Sequence, residues 1–392
     1  MPRNDKSQIS IREKLRRDMP QRWPGPIYWV ILITSLVLMV ALTISLFVAL
    51  ALEDNNTLGG YVGGGNGGGG ASANGGNGGV SGGNNGGNAT SGGKTKTGIM
   101  LPSATANGTF ISSAGGDTVQ IEGISSECAV LVNVGNNLSV AERNADTVIY
   151  PASMTKVMTL LVACENAKAP TAKLTVTQEM VDYQQKMGGS GNLGFKAGES
   201  VTVEDALYLI NYRSDTIACL LVAEYIAQSE EGFVSLMNQK ARQIGLTKTN
   251  FTNCTGLHNT NHYTTCREMA AIMKCTMNNN VAKKIITSFS GYTVDIYADG
   301  QKTRSPMIYS GWYSERMGDN PWVGGGADVK VLGGKTGYED IPTSCFVTYA
   351  QNTETNAYYV CVTVGRITEE GAKINNSQST TDTKTIYKNY AK

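Results

Sequence analysis

Residues 150–161, YPASMTKVMTLL, carry the reading from which the rest of the chain is understood. Val157, Leu160, Leu161 and Cys164 recur at i, i+3, i+4 and i+7, so the spacing predicts a helix that begins at Ser153 and turns one apolar face inward. Three residues apart at its start, Ser153 and Lys156 share a face and lie within reach of each other. A serine can be activated by an amine held in this way. The helix N-terminus adds a dipole that favours anions formed there. To take the hydroxyl proton the amine must be neutral, which asks a lysine to move from about 10.4 toward 7, a change of about 4 kcal/mol that desolvation near another cation can supply.

A lone S-x-x-K is a weak signal, and this chain contains two. Ser91 and Lys94 repeat the pattern, and Lys96-Thr97-Gly98 follows within a Gly-rich stretch. Context separates the two sets. Ser153 opens a helix, and Lys335-Thr336-Gly337 follows a strand-like run, VKVLGG (329–334), with strand-like TSCFVTYA (343–350) and YYVCVTVG (358–365) beyond it. An edge strand of this kind lines a substrate channel, Lys335 and Thr336 suit a terminal carboxylate, and Gly337 lets the substrate backbone approach closely. Upstream, CAVLVNV (128–134) has the apolar, β-branched look of a strand. Helical patterns cover 203–212, 215–228, 232–244 and 266–277, with a last helix near Asp382 to Tyr390. Strands at both ends around a helical middle predict one α+β domain.

Further toward the N-terminus the composition changes. Of the 392 residues 46 are Gly, concentrated early, so the part able to bury a core begins after residue 112. Residues 53–112 form the expected linker. Its stretch 59–93 lacks the apolar residues needed to offset the entropy of ordering a backbone. From Asn55 to Gly98 such a tether reaches ~35 to 40 Å. Residues 27–52 contain no charge, and ~20 apolar residues suffice to span a bilayer as a helix. Arg3, Lys6, Arg12, Lys14, Arg16, Arg17 and Arg22 in the preceding segment 1–26 place the N-terminus in the cytoplasm by the positive-inside rule. Ala49-Leu50-Ala51 resembles a cleavage site, yet the apolar run is longer than a signal peptide uses. The expectation is a single-pass protein of the cell membrane, with residues 113–392 outside the cytoplasm.

Charge and scarce residues exclude several classes. Lys plus Arg is 33 against 32 for Asp plus Glu, and no basic stripe with interleaved aromatics occurs, so no nucleic-acid partner is expected. The two His residues, His258 and His262, sit in HNTNH without an adjoining Glu and in loop composition, which argues against a metal, and no cofactor is expected. No G-x-S-x-G elbow is present for a Ser-His-Asp hydrolase. The eight Cys form no C-x-x-C pair and read as small buried hydrophobes, with Cys254 and Cys266 the pair to test for a disulfide. Trp312 and Trp322 fall in an irregular stretch, 310–327, that either borders the channel or, as the favoured reading, is a simple surface loop. His262 is given a structural role in its loop.

The chain resembles the D-alanyl-D-alanine carboxypeptidases, low-molecular-mass penicillin-binding proteins with an S-x-x-K, S-x-N, K-T-G site. The resemblance runs over residues 117–390. It is carried by YPASMTKVMT, by MGGSGNLGFKAGESVTVEDALYLINYRSDTIACLLVAEYIA, by GLHNTNHYTTCREMA and by GGKTGYEDIPTSCFV. It implies a β-lactamase/transpeptidase-like α+β domain, an antiparallel sheet flanked by helices plus a helical subdomain. Ser153 would attack the terminal D-Ala-D-Ala bond of a peptidoglycan stem peptide with Lys156 as base, and β-lactams would trap the same serine as inhibitors. The backbone N–H groups of Ser153 and Tyr338 would form the oxyanion hole. Ser214 would relay a proton, while Lys335, Thr336, Gly337 and Thr216 would hold substrate. The middle motif aligns with Ser214-Asp215-Thr216, so Thr216 stands where the family has Asn and lacks the carboxamide that would hold the substrate backbone and Lys156. Ser190-Gly191-Asn192 matches S-x-N literally but lies in a Gly-rich loop and is set aside. A Glu-x-x-Leu-Asn signal expected of a serine β-lactamase is absent. An alternative to the enzyme is a catalytically weakened relative with a wall-binding or sporulation role. Many relatives carry a further β-rich domain and a C-terminal amphipathic anchor, which the N-terminal span is expected to replace.

Overall fold

The structure is a computed structural model, and it describes residues 118–392 apart from 189, 190, 192, 319, 324–327, 340–343 and 367–375. The segments 1–26, 27–52 and 53–112, the duplicate motifs at Ser91 and Lys96, and the side chains of Ser190 and Asn192 lie outside the described residues. Among the described residues no helix is long and apolar enough to cross a membrane.

Strands β1 (Val119–Gln120), β2 (Cys128–Asn133), β3 (Leu138–Arg143) and β4 (Val148–Ile149) lead to a short 3-10 turn, Ala152–Met154, and helix α1 (Thr155–Asn166). Next come β5 (Lys173–Thr175), α2 (Gln178–Met187), β6 (Ser200–Thr202), α3 (Val203–Tyr212), α4 (Thr216–Ala227) and α5 (Glu230–Gln243). After them run β7 (Thr264–Thr265), α6 (Cys266–Met277), α7 (Asn280–Thr287), β8 (Tyr292–Thr293), β9 (Ile296–Ala298), β10 (Gln301–Arg304) and β11 (Met307–Ile308). A π-helical turn, Trp312–Met317, precedes β12 (Val329–Gly337), β13 (Cys345–Asn352), β14 (Tyr358–Val364) and α8 (Asn376–Tyr390).

The main sheet has the order β1-β3-β2-β14-β13-β12. It is antiparallel except at its far edge, where β1 pairs with β3 in parallel, a departure from the wholly antiparallel sheet expected. Its central strands are covered on both faces. Alternate side chains of a strand point to opposite sides, so Cys128, Val130 and Val132 join one core with α1, α3, α4 and α6, while Ala129 and Leu131 join the other with Ile386 and Tyr387 of α8. Burial on both faces is why CAVLV reads as a continuous apolar run and not an alternating one.

Helix starts follow local chemistry. Thr202 and Asp205 form a reciprocal capping box at α3, and Asp215, Ser229 and Thr265 cap α4, α5 and α6 through their side chains. Arg267, buried at the start of α6, pairs with Glu142 of β3 and with Asp146, both at 2.8 Å, and so ties the helical layer to the sheet. A second, four-stranded sheet, β10-β9-β6-β5, stands apart from the first.

Two expectations are corrected here. Cys254 and Cys266 are separate buried thiols: Cys254 Sγ donates to Glu230 Oε1 at 3.2 Å, and Cys266 begins α6. No disulfide joins any of the eight cysteines, and seven of them are buried, as small hydrophobes would be. Trp312 is not on a surface loop: it is 1% exposed and packs with Phe346 and Tyr387 under the main sheet. Trp322, by contrast, is exposed and lies over Lys330.

Candidate active site

Ser153 sits on the turn that precedes α1. Pro151 enters the turn, and Ala152 takes a left-handed φ of 48°, a conformation costly for a residue with a Cβ. It is held there by the chain opposite. Gly256, at φ 82°, packs so closely that a Cβ at that position would stand 2.1 Å from the Ala152 carbonyl oxygen. Only glycine fits. Gly337 at the end of β12 approaches the same turn, its missing Cβ facing the Pro151 carbonyl at 3.1 Å. On this side Gly337 closes on the chain's own backbone and not on a substrate.

In the first turn of the helix, Lys156 is 2% exposed and its Nζ lies 3.2 Å from Ser153 Oγ. A second bond, 2.5 Å long, runs from Nζ to the carbonyl of Thr255. His262 steadies the helix start. Thr252 N–H donates to its Nδ1 at 3.1 Å, so Nε2 carries the proton toward Thr155 Oγ1 at 2.7 Å. Burial, with smaller contributions from the charges of His258 and Lys156, lowers the imidazole to about 4. A neutral ring with both nitrogens engaged fits the structural role expected of it.

Across the cavity, Lys335 on β12 donates to Ser214 Oγ at 3.0 Å and to the Thr336 carbonyl at 2.8 Å. Ser214 has a left-handed φ of 56°. Asp215 caps α4, its Oδ1 accepting from Ala218 N–H at 2.9 Å, while its Oδ2 is buried with no partner. Complete burial raises this carboxyl to about 7, against the opposing pull of its cap bond and of Lys156. Thr216 is 1% exposed, and its Oγ1 likewise has no partner.

Ser153, Lys156, Ser214, Thr216, Lys335, Thr336 and Tyr338 all border one cavity of about 460 Å³. The geometry therefore gathers residues up to 185 positions apart in sequence (153 to 338) around a single opening. Gly337 is buried behind the strand end, and Tyr338 stands 54% exposed at the rim. Chemically the arrangement offers a hydroxyl beside an amine on one side, and a second hydroxyl beside a fixed cation on the other. That suits acyl transfer to serine from a substrate bearing a carboxylate. Of the S-x-N match that was set aside, Gly191 borders the cavity too.

Some of the cavity's residues escape a motif reading. Thr255 and Leu257 form part of the wall, as does Trp312. Asn-Cys-Thr-Gly at 253–256 is turn chemistry and was the available signal for the first of these. For Trp312 the signal was its place in the Gly-broken stretch 310–327, one of whose two readings bordered the channel.

An α+β sheet with a helical layer, a serine-lysine pair at the seam and a K-T-G strand edge define the penicillin-binding, transpeptidase-like class. The fold matches the DD-transpeptidase of Streptomyces K15, with TM-score 0.58 and 21% identity over 68% of this chain and 97% of that one. It also matches penicillin binding protein 5 from Haemophilus influenzae, with TM-score 0.55 and 23% identity over 69% of this chain and 72% of that one. At these identities the likeness bears on the fold alone. Residues 116–365 match the peptidase S11 family, described as D-alanyl-D-alanine carboxypeptidase, and the chain belongs to that family. Among its relatives, D-alanyl-D-alanine carboxypeptidase DacF of Bacillus subtilis is 33% identical over 164 residues, 42% of each chain. D-alanyl-D-alanine carboxypeptidase DacC of Escherichia coli is 32% identical over 170 residues, 41% of this chain and 42% of that one. The aligned stretch thus spans about two fifths of the length of these curated relatives.

Proposed function

We propose that residues 113–392 form a serine D-alanyl-D-alanine carboxypeptidase, a hydrolase that removes the terminal D-Ala from peptidoglycan stem peptides in cell-wall biogenesis. The observation that carries the reading is the 3.2 Å contact between Lys156 Nζ and Ser153 Oγ on the wall of the cavity, opposite Lys335. In its neutral form Lys156 takes the Ser153 proton as Oγ attacks the penultimate D-Ala carbonyl. Backbone N–H groups of Ser153 and Tyr338 stabilise the oxyanion. Lys335 and Thr336 hold the terminal carboxylate, with Gly337 and Thr216 shaping the site around the peptide. Collapse of the tetrahedral intermediate breaks the peptide bond, and the leaving amine receives a proton relayed through Ser214. Water then hydrolyses the Ser153 ester and releases the shortened peptide. β-Lactams acylate the same serine and inhibit.

The test is direct. Labelled penicillin acylates the wild-type protein, and Ser153→Ala takes up no label; a wild-type domain that takes up none overturns the reading. The second reading, a weakened relative with a wall-binding or sporulation role, is favoured by one observation, the unpartnered hydroxyl of Thr216 where a carboxamide belongs. Release of D-Ala from a pentapeptide separates the two, since a binding protein retains the peptide without releasing D-Ala.

For location, the proposal is a cell-membrane protein anchored by residues 27–52, with residues 1–26 in the cytoplasm and the Gly-rich linker 53–112 carrying the enzyme outside. Its support is the uncharged apolar run and the basic segment before it. Membrane fractionation of the full chain, with and without residues 1–52, checks it.

A further inference from the structure

The Lys156 amine has an acceptor that belongs to none of the three motifs, the Thr255 carbonyl at 2.5 Å. Thr216, where a carboxamide would hold this amine, has a hydroxyl that makes no hydrogen bond. The position of the Thr255 carbonyl therefore matters more in this chain. It is fixed chiefly by one side chain. Asn253 Oδ1 accepts from Thr255 N–H at 3.2 Å, from Thr255 Oγ1 at 3.1 Å and from Gly256 N–H at 2.7 Å, while its Nδ2 donates to the Leu257 carbonyl at 2.9 Å. Both ends of the carboxamide are thus committed to the turn 253–257. Two further bonds fasten that turn to the helices: Thr159 Oγ1 of α1 donates to the Cys254 carbonyl at 2.7 Å, and Cys254 N–H donates to Glu230 Oε1 of α5 at 3.0 Å. Gly256 then presses the turn onto Ala152 and Ser153.

We infer that Asn253 is a positioning residue for the reaction: by fixing the Thr255 carbonyl against Lys156 Nζ, its carboxamide supplies the hold that Thr216 does not give. The inference rests on the acyl-transfer reading proposed above. It makes a specific statement about coupling. Asn253 matters to the amine while position 216 is Thr, and matters far less once a carboxamide is placed there.

The experiment is a double-variant cycle with Asn253→Ala and Thr216→Asn, reading the rate constant for acylation by labelled penicillin, its pH profile and the Tm of each protein. Alone, Asn253→Ala slows acylation about 10- to 100-fold, shifts the pH at half-maximal rate, and leaves the pre-acylation Kd for penicillin within about threefold. In the Thr216→Asn background the same change costs less than about threefold. Equal losses in both backgrounds mean a merely structural role and overturn the inference, as does an unchanged rate in Asn253→Ala. Should Asn253→Ala not fold, Asn253→Ser, which retains one acceptor for the turn, runs the same cycle. If the wild-type protein takes up no label, the acyl-transfer reading falls by itself. Crystal structures of wild type and Asn253→Ala then decide the positioning claim: loss of the Lys156–Thr255 contact in the variant alone supports it, and an unchanged contact overturns it.

Discussion

On the Ser153 side of the cavity, Lys156 Nζ has two acceptors, His262 is engaged at both ring nitrogens and the Asn253 carboxamide is used at both ends. On the Ser214 side, Asp215 Oδ2 and Thr216 Oγ1 are buried without partners. Polar groups buried and satisfied rigidify a site, whereas each one left unsatisfied costs about 1–3 kcal/mol. The contrast teaches that nucleophile and base are preorganised by the protein, while the middle motif carries unmet polar demand next to the cavity. Replacing a carboxamide by a shorter hydroxyl explains the Thr216 half of that demand. Nothing in the structure explains the open oxygen of Asp215.

The contrast is sharpened most strongly by removing the base. Lys156→Ala is expected to slow penicillin acylation about 10³-fold or more while the protein still folds, as followed by label uptake and circular dichroism. A loss of only a few-fold means that the satisfied side does not do the chemistry. Next comes Gly256→Ala, which forces a methyl group against the Ala152 carbonyl at a left-handed φ and is expected to cost about 3 kcal/mol or more. Denaturant unfolding measures it. A cost below about 1 kcal/mol would mean that the two turns can separate freely.

A third test uses the opposite pH behaviour of the two sides. His262 falls from 6.5 to about 4 on folding, so its contribution is present above about 6.5 and is lost as pH drops toward 4. Asp215 rises from 3.8 to about 7, so its contribution is present below about 3.8 and is lost as pH climbs through 7. Between pH 4 and 6.5 the two slopes oppose, each with an amplitude on the order of 3 kcal/mol. Asp215→Asn is expected to expose the His262 slope, with stability falling as the solution is acidified. His262→Gln exposes the reverse. Urea titrations at stepped pH read both, and a variant that follows the wild-type curve removes its group from the account. Smallest is Thr216→Val, nearly isosteric, which deletes a hydroxyl without a partner and is expected to raise stability by about 1 kcal/mol. A fall in Tm shows instead that the hydroxyl is satisfied in solution.

What the sequence reveals depends on how strongly burial writes itself into residue type. Strand β2 is legible because both of its faces are covered, and α1 because Val157, Leu160 and Leu161 repeat at helical spacing. Both motif ends of the site are legible for the same reason: each falls beside such an element. The four-stranded sheet leaves little trace, since β10 is Gln-Lys-Thr-Arg with three exposed residues and β5 has only Leu174 buried. Helix α2 is mostly polar, and its available signs are the Thr177 cap and the left-handed Gly188 that closes it. Within the site, the hold on Lys156 comes from a backbone carbonyl, which every residue possesses and no motif can mark. For Trp312 the neighbouring glycines favour a surface loop over a border of the channel, whereas packing under the sheet buries it at the cavity wall.

The bond from Lys335 to Ser214 joins the edge of the main sheet to the helical layer across 121 residues of chain. A hydrogen bond breaks with far less movement than the apolar core that fills the same seam needs in order to open, so the cavity is expected to lose its geometry before the layers part. Penicillin uptake should therefore act as an early gauge of loosening. In rising denaturant the label is lost while the far-ultraviolet signal still reports intact helices, and the gap between the two curves measures how independently the layers breathe.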